Sequence, residues 1–548
     1  MAEDHEAGTG RVTLSFTPAG QDFRVPPGVT VFDAASWNGI AIDSTCGGHG
    51  TCKKCKIQVR SGEVPVSRLD VRAFTPEQLK DGWRLACMAR AGGDLAIDVP
   101  PLSTRPKAAT VGVGRQVILR PAIQKRFLEL TEPTLADQRT DLERVSDALD
   151  DLDIHADLRV LQGLPTTLRT AGWQVTAVVA DEDLIAVEPG DTTDRCFGVA
   201  VDLGTTTVVA TLLDLGTGTP VAVRSMLNKQ QPFGADVISR ISATMMDPQA
   251  AGLMRTAALD TVNELMREVC DESGVDPAHV YEVALAGNAT MVHLMLGVDP
   301  EPIGVAPFIM ATREWPLYRA SDIGLQAHPQ ARCFIFPAFG AYVGGDIVAG
   351  VLASGMDRDK RVRLLIDVGT NCEIVLSNGE DLLATAAPAG PAFEAASIAC
   401  GMRAADGAVG DRVFVLHWAE GEPAVFLSQR DVRELQFAKA AIATGWRLLL
   451  EEVGLADADV QQVLLAGSFG SYLSPASAIG IGLVPKLPVV RIVSAGNVAG
   501  EGAKMVLLSS TERSGARTLL DEVRYVELSD RSDFQDKFVG ELALPTRA

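Results

Sequence analysis

The sequence has no basic surplus, no long apolar run and few cysteines, and each shortage excludes something. Lys and Arg number 49 against 70 Asp and Glu, a formal net charge of −21. No excess of cations is left to neutralise phosphates, which argues against a nucleic-acid or anionic-membrane partner. No run of about eighteen apolar residues occurs, so a membrane-spanning helix is not expected. The opening stretch MAEDHEAGTG is polar and acidic and offers no apolar core for an export signal, so a cytoplasmic location is expected. Nine cysteines in 548 residues are too thin for a disulfide scaffold. Aromatics are only 5% of the chain, whereas glycine, at 51 residues, is plentiful enough for ligand loops and close helix–sheet packing.

The length exceeds what one hydrophobic core supports, so several folding units are expected. Residues 1–100 read as a β-rich unit. RVTLSFT and QDFRVP alternate around a turn at Gly20, and Thr30 caps a short helix, VFDAASWNG. A Gly/Cys-rich loop and two more strands, CKIQVR and DLAIDVP, follow. PPLSTRPKAA (100–109) reads as a linker. It opens a region, 101–195, that carries no chemical motif: a helical pattern in LADQRTDLERVSDALDDL and a strand pair in WQVTAVVA and LIAVEP. Its expected role is a spacer that sets reach and docking geometry.

From 196 to 548 the pattern is α/β and repeats itself. FGVAVDLGTTTVVATLLDLGTG is echoed by VRLLIDVGTNCEIVLSNG, with Asp202 matching Asp367 at an offset of 165 residues. VALAGNATM is echoed by VLLAGSFGS, with Gly287 matching Gly467 at an offset of 180. Two echoes in the same order point to a duplicated fold.

Four of the nine cysteines fall in the first 87 residues, as Cys46-x5-Cys52-x2-Cys55 and then Cys87. Thiolates are soft ligands that suit iron–sulfur clusters or zinc. Structural zinc sites usually pair two short C-x2-C knuckles; the wide first gap and the lone distant Cys87 favour a cluster. Gly47, Gly48 and Gly50 let the loop aim amide N–H groups at anionic sulfur. The loop resembles 2Fe–2S ferredoxins, with the adrenodoxin-like x5 gap. His49 has no second histidine nearby and is read as solvent-facing or supporting. Cys196, Cys270, Cys333 and Cys400 read as small buried hydrophobes, whereas Cys372, inside a candidate phosphate loop, is expected to be accessible.

A strand–turn–strand carrying D-x-G-T presents backbone N–H groups and hydroxyls to phosphate, with the Asp placed to hold Mg²⁺ through water. Two copies occur, Asp202, Gly204, Thr205, Thr206 and Thr207, then Asp367, Gly369, Thr370 and Asn371. A third element, Gly467, Ser468 and Gly470 in LLAGSFGS, lets an adenosine lie against the backbone. Glu434 and Lys439 are candidates for ribose or base contacts, their alternative being a solvated helix face. These residues resemble the two phosphate motifs and the adenosine motif of the actin/sugar kinase/heat-shock-70 superfamily. Asp202, Asp236, Asp346 and Glu373 could each position water or metal, and no catalytic base is assigned.

The whole chain resembles the reductive activators of corrinoid-dependent methyltransferases. Besides the motifs above, the resemblance rests on NKQQPFGADVISRI (228–241), AGNATMVHLMLG (286–297), PAFGAYVGGDI (337–347), APAGPAFEAASIACGM (387–402) and SQRDVRELQFAKAAI (428–442). It implies a multidomain fold: a β-grasp 2Fe–2S ferredoxin, a small α/β middle domain and a duplicated α/β, ribonuclease-H-like ATPase of the actin/heat-shock-70 type. The implied activity is ATP-dependent, one-electron reduction of an inactive Co(II) corrinoid to Co(I). The implied cofactors are the 2Fe–2S cluster, ATP and Mg²⁺. The implied partners are a corrinoid protein of a methyltransferase system or a cobalamin-dependent methionine synthase, and an upstream flavoprotein or ferredoxin reductase. A homodimer is a further expectation. Two alternatives stay open at this point: an electron carrier with an ATP-sensing docking module, and an activator of a radical dehydratase. A sugar kinase would leave the cysteines unexplained.

Overall fold

The computed structural model of the protein describes residues 11–17, 20–37, 40, 42, 55–100, 112–369, 371–387, 413–419, 422–470 and 473–545. In the N-terminal unit a five-stranded sheet runs in the order Gln21–Val25, Val12–Thr17, Leu95–Asp98, Lys56–Ser61, Trp83–Leu85. The predicted hairpin forms, its turn helped by Gly20 at φ +64°. Val12, Leu14 and Phe16 alternate into the core, as a one-sided strand requires. Helix Val31–Trp37 lays Val31, Phe32, Ala34 and Ala35 on that face. A sheet grasping one helix is the β-grasp arrangement expected above.

The following unit is a four-stranded sheet in the order Ile123–Glu129, Gln174–Ala180, Asp183–Pro189, His155–Ala156. The strand pair expected at WQVTAVVA and LIAVEP is its central hairpin. Helices Asp141–Asp147 and Leu158–Thr170 pack on the sheet, started by Thr140 and Asp157 as N-caps. Strand Ile123–Glu129 has weak apolar alternation and helix Leu158–Thr170 carries Pro165 inside it, and neither was legible in the sequence.

Two six-stranded sheets follow, and their strand orders prove the duplication. The first reads Pro220–Leu227, Thr207–Asp214, Phe197–Leu203, Val280–Gly287, Arg332–Ile335, Tyr318–Arg319. The second reads Ile492–Gly496, Gln462–Ala466, Arg363–Val368, Cys372–Ser377, Leu382–Ala387, Val523–Tyr525. In chain order within each six-stranded sheet, the first strand sits centrally, pairs antiparallel with the second, and pairs parallel with the fourth. Asp202 lies opposite Ala286 and Asp367 lies opposite Ala466, so the two echoes occupy equivalent registers. Long helices Ala250–Ser273 and Gln429–Glu452 cover the outer faces, where the sequence places them.

Between the lobes, helices Gly345–Ser354 and Val498–Leu508 cross backbone to backbone. A Cβ on Gly502 would lie 2.3 Å from the Ala349 carbonyl oxygen. The second helix, though it follows a strand of the second lobe, packs against strands Phe197–Leu203 and Val280–Gly287 of the first. The crossing thus joins the two lobes.

Candidate functional site

In the N-terminal unit Cys55 and Cys87 flank strands Lys56–Ser61 and Trp83–Leu85, whose pairing is extended by Ala86 N–H donating to Cys55 O at 2.7 Å. Their sulfurs lie 3.2 Å apart and both residues are buried. That separation is far above the ~2.05 Å of a disulfide, so two unbridged thiols stand side by side, as neighbouring ligands of one metal ion must. Cys46 and Cys52 fall outside the described residues, as do His49 and the glycines of the loop.

The larger site lies between the two lobes. The turn Gly204–Thr206 joins two antiparallel strands so tightly that a Cβ on Gly204 would sit 2.4 Å from the Thr207 carbonyl oxygen. Buried Arg240 holds the turn from behind, donating to Thr205 O at 2.6 Å and to Gly234 O at 3.0 Å. Asn228 holds it from the side, its Nδ2 donating to Gly204 O and its backbone N–H to Thr206 O, both at 2.9 Å. The Thr205 hydroxyl accepts from Asn288 Nδ2 at 2.9 Å, and Thr205 is buried.

Opposite, Asp367 pairs across the strands with Glu373, and Gly369 N–H donates to Asn371 O at 3.2 Å. Gly467, at φ +83°, starts the helical turn Gly467–Gly470, which includes Ser468. A Cβ on Gly467 would meet Asp367 Oδ1 at 2.3 Å. The second phosphate motif and the adenosine motif therefore touch through a position that only glycine can occupy. Thr370 lies outside the described residues.

Asp346 joins both halves from the first turn of helix Gly345–Ser354, where Ile347 N–H donates to it at 3.0 Å. Gly344 presses on Asn288, with its would-be Cβ 2.4 Å from Asn288 Cα, which fixes where Asp346 enters. Asp202, Asp346, Asp367 and Glu373 thus gather where the lobes meet, and among the described residues no basic side chain offsets their charge. Burial, reinforced by Asp346, pushes Asp202 up to about 7 against the pull of its hydrogen bond from Asn497. Burial with Asp346 and Asp202 pushes Asp367 up to about 8. Asp346 itself rises to about 6 through burial, and Glu373 rises well above the carboxylate range through burial, Asp346 and Asp367. A cluster of this kind is poised to receive positive charge.

Similarity to known proteins agrees with the geometry along the whole chain. The description "2Fe-2S iron-sulfur cluster binding domain" matches residues 16–92 and "RACo linker region" matches 112–194. "RACo middle region" matches 197–359, and "C-terminal domain of RACo the ASKHA domain" matches 361–413 and 410–548. A solved reductive activator for corrinoid, iron-sulfur protein superimposes with a TM-score of 0.72 at 31% identity, over 97% of this chain and 98% of that one. The chain belongs to the reductive activators of corrinoid proteins. The corrinoid activation enzyme RamQ of Eubacterium limosum is 28% identical over 93% of this chain and 95% of its own. The [Co(II) methylated amine-specific corrinoid protein] reductase of Methanosarcina barkeri is 21% identical over 58% of this chain and 70% of its own.

Several residues of this activator stand elsewhere than their motifs suggested. Cys372, expected to be accessible, is fully buried at the start of strand Cys372–Ser377, because that strand is central to its sheet. Lys439, expected at ribose or base, is 2% exposed. Its ammonium donates to Glu541 O at 2.7 Å and Ala543 O at 3.2 Å, so the C-terminal segment has taken it. Glu434 sits part-exposed on the same helix beside Arg430, at 3.9 Å. Asp236 caps helix Val237–Met246, accepting from Ser239 N–H at 2.7 Å, and is not among the cleft carboxyls.

The residues missed by sequence reasoning are the asparagines. Asn288 caps helix Ala289–Leu296 and Asn497 caps helix Val498–Leu508. Each turns its free amide N–H into the cleft, Asn288 to Thr205 and Asn497 to Asp202 Oδ2 at 2.8 Å. A signal was present: Ala-Gly-Asn ends a strand at 286–288 and again at 495–497. It does not align with the two echoes, since the second copy follows the fifth strand of its six-stranded sheet and the first copy follows the fourth.

Proposed function

We propose that this activator passes one electron to the Co(II) corrinoid of a methyltransferase-system protein, or of a cobalamin-dependent methionine synthase, and couples the transfer to ATP at the interlobe cleft. The observation that carries the reading is one chain holding both a thiolate pair, Cys55 and Cys87, and a two-lobed cleft edged by Asp202 and Asp367. When bound, the 2Fe–2S cluster supplies electrons singly, and Cys46, Cys52, Cys55 and Cys87 are its proposed ligands. The proposed division of labour is an electron unit at 1–100, a linker and middle unit at 101–195 and the ATPase at 196–548.

In the cleft, the turn Gly204–Thr206 and its counterpart at Gly369–Asn371 hold phosphate from opposite sides. Asp202 and Asp367 are the carboxylates that would hold Mg²⁺, which would there balance the charge of the bound phosphates. Gly467 and Gly470 carry the adenosine. Asp346, central to the carboxyl group and raised towards neutrality, is the side chain best suited to accept a proton from an attacking water.

Reduction to Co(I) is uphill from a ferredoxin-type donor. A coupling of about 1–3 kcal/mol, at about 59 mV per tenfold, shifts the balance by about 40–130 mV. Binding that favours Co(I) supplies a shift of that size, and nucleotide turnover releases the product complex. A flavoprotein or ferredoxin reductase is the proposed upstream donor. Among the described residues no helix is long and apolar enough to cross a membrane, and cytoplasmic placement and a homodimer complete the proposal.

The test mixes dithionite-reduced protein, Mg²⁺, ATP and a Co(II) corrinoid protein and follows the Co(I) absorption band. Co(I) that accumulates only with ATP supports the reading. Accumulation that is identical without nucleotide, with no ATP consumed, leaves a simple electron carrier.

A further inference from the structure

Asn497 stands where the cleft meets the chain that carries the electron unit. Its side chain faces the cleft, Nδ2 donating to Asp202 and Oδ1 accepting from Gly500 N–H at 2.7 Å. Its backbone faces the other way and is packed by Gly112, the first described residue after the N-terminal unit and its linker. Gly112 bridges Gly496 in antiparallel fashion, and Val113 N–H donates to Ala495 O at 2.7 Å. Gly112 N–H reaches Glu501 Oε1 at 3.0 Å. There is no slack: a Cβ on Gly112 would lie 2.5 Å from the carbonyl carbon and oxygen of Asn497.

The chain then runs as a strap over the crossing helices. Arg115 N–H donates to Ala353 O at 3.1 Å, on helix Gly345–Ser354, and the Arg115 guanidinium pairs with Glu512. Arg120 N–H donates to Leu508 O at 2.7 Å, at the end of helix Val498–Leu508, and Ser510 N–H returns to Arg120 O at 2.9 Å. From its first described residue, the chain leading on from the electron unit is therefore pinned across the interlobe crossing, beginning beside Asn497, whose side chain reaches Asp202.

We infer that Asn497 is a positioning residue that couples the cleft to this strap, so that nucleotide binding loosens residues 112–120 and frees the electron unit to reach its acceptor. The inference rests on the nucleotide reading of the cleft given above. In the structure the Asp202 carboxylate accepts from the Asn497 amide. A hydrated cation carried by phosphates competes for that carboxylate and takes the amide's acceptor. Asn497 must then re-pair its side chain, and because its backbone is flush with Gly112, the strap's first two hydrogen bonds yield. Coupling of this kind is reciprocal: whatever dislodges the strap strengthens nucleotide binding by the same factor.

The experiment uses the full-length protein with its cluster, and a non-hydrolysable ATP analogue with Mg²⁺. Amide hydrogen exchange is followed over residues 112–120, and calorimetry on the same samples measures binding of the analogue. In the unaltered protein the analogue is expected to speed exchange over 112–120 at least about fivefold, the lower end of typical coupling. Gly112→Ala, which cannot seat the strap, is expected to exchange quickly with or without analogue and to bind it more tightly by a similar factor. A role confined to folding predicts weaker binding in that variant. If the unaltered protein binds the analogue and the strap exchanges at the same rate, the coupling is wrong while the cleft reading stands; this arm needs no variant to fold. If the analogue does not bind at all, the cleft reading falls and the coupling falls with it.

Discussion

Asp367 bears a heavy electrostatic cost in the cleft, since burial and two neighbouring carboxyls all oppose its charge. In an unfolded chain such groups titrate near ~4, whereas Asp346, Asp202 and Asp367 are pushed to about 6, 7 and 8. The folded protein therefore holds more protons than the unfolded chain between about pH 4 and 8, and stability falls as pH rises through that window. Calorimetry without divalent cation is expected to give a lower Tm at pH 8 than at pH 6. Asp367→Asn should flatten that slope and raise Tm at pH 8, while cutting ATP turnover about tenfold or more through loss of a cation-holding carboxylate. At the other site, Cys52→Ser removes one of four proposed thiolates. Its visible absorption and its reduced-state EPR signal should disappear, Co(I) formation should stop, and nucleotide affinity should stay within about twofold. Loss of both functions in this one variant would mean that the electron unit and the ATPase are not separable.

At the level of elements, the site is held by helix ends and by close backbone approaches. Asn288 ties the phosphate turn to a helix N-terminus, so one residue sets both the helix start and the Thr205 hydroxyl. Asn288→Ala should cost about 1 kcal/mol of stability through the lost cap and raise the KM for ATP, read by denaturant unfolding and steady-state kinetics. The helix crossing depends on Gly502 in the same direct way. Gly502→Ala forces a carbon against Ala349 and is expected to cost about 1–3 kcal/mol, as overpacking of a tight contact does. Strand and helix placement was largely legible here, because DLAIDVP and MRTAALDTVNELMREVC carry clean periods of two and of 3.6. Helix Leu158–Thr170 was not, since Pro165 lies inside it and reads locally as a break.

Across the whole molecule, the linker unit is clamped to the first lobe by its own ion pair Lys125–Glu188 closing on Tyr281 and by ion pairs that cross between the two units. Lys125, its side chain 1% exposed, donates to Glu188 at 2.7 Å and lies over the ring of Tyr281, whose hydroxyl also donates to Glu188. Burial pushes Glu188 up, but Lys125, Thr192 and Tyr281 together bring it below the ordinary carboxylate value. Arg319 with Asp157 and Arg332 with Asp183 repeat the clamp further along. Lys125→Ala leaves Glu188 buried without its cation and should cost about 3 kcal/mol or more, seen as a lower denaturant midpoint. Lys125→Met with Glu188→Leu should recover most of it. The described part of residues 101–195 is thus braced on the first lobe.

Sequence alone determined whatever is local or periodic. The cysteine spacing pointed to a metal cluster and the recurring D-x-G-T turns to a duplication, because each depends on residue types at short fixed intervals. Tertiary structure decided the rest. Lys439 was lost to the C-terminal segment and Cys372 to a central strand, since burial depends on what packs from distant parts of the chain. Asp346 became the hub of the cleft because a glycine pair feeds it between two lobes. Asn497 lies 295 residues from the aspartate it holds, and no local pattern could reveal that its other face seats the chain leading to the electron unit.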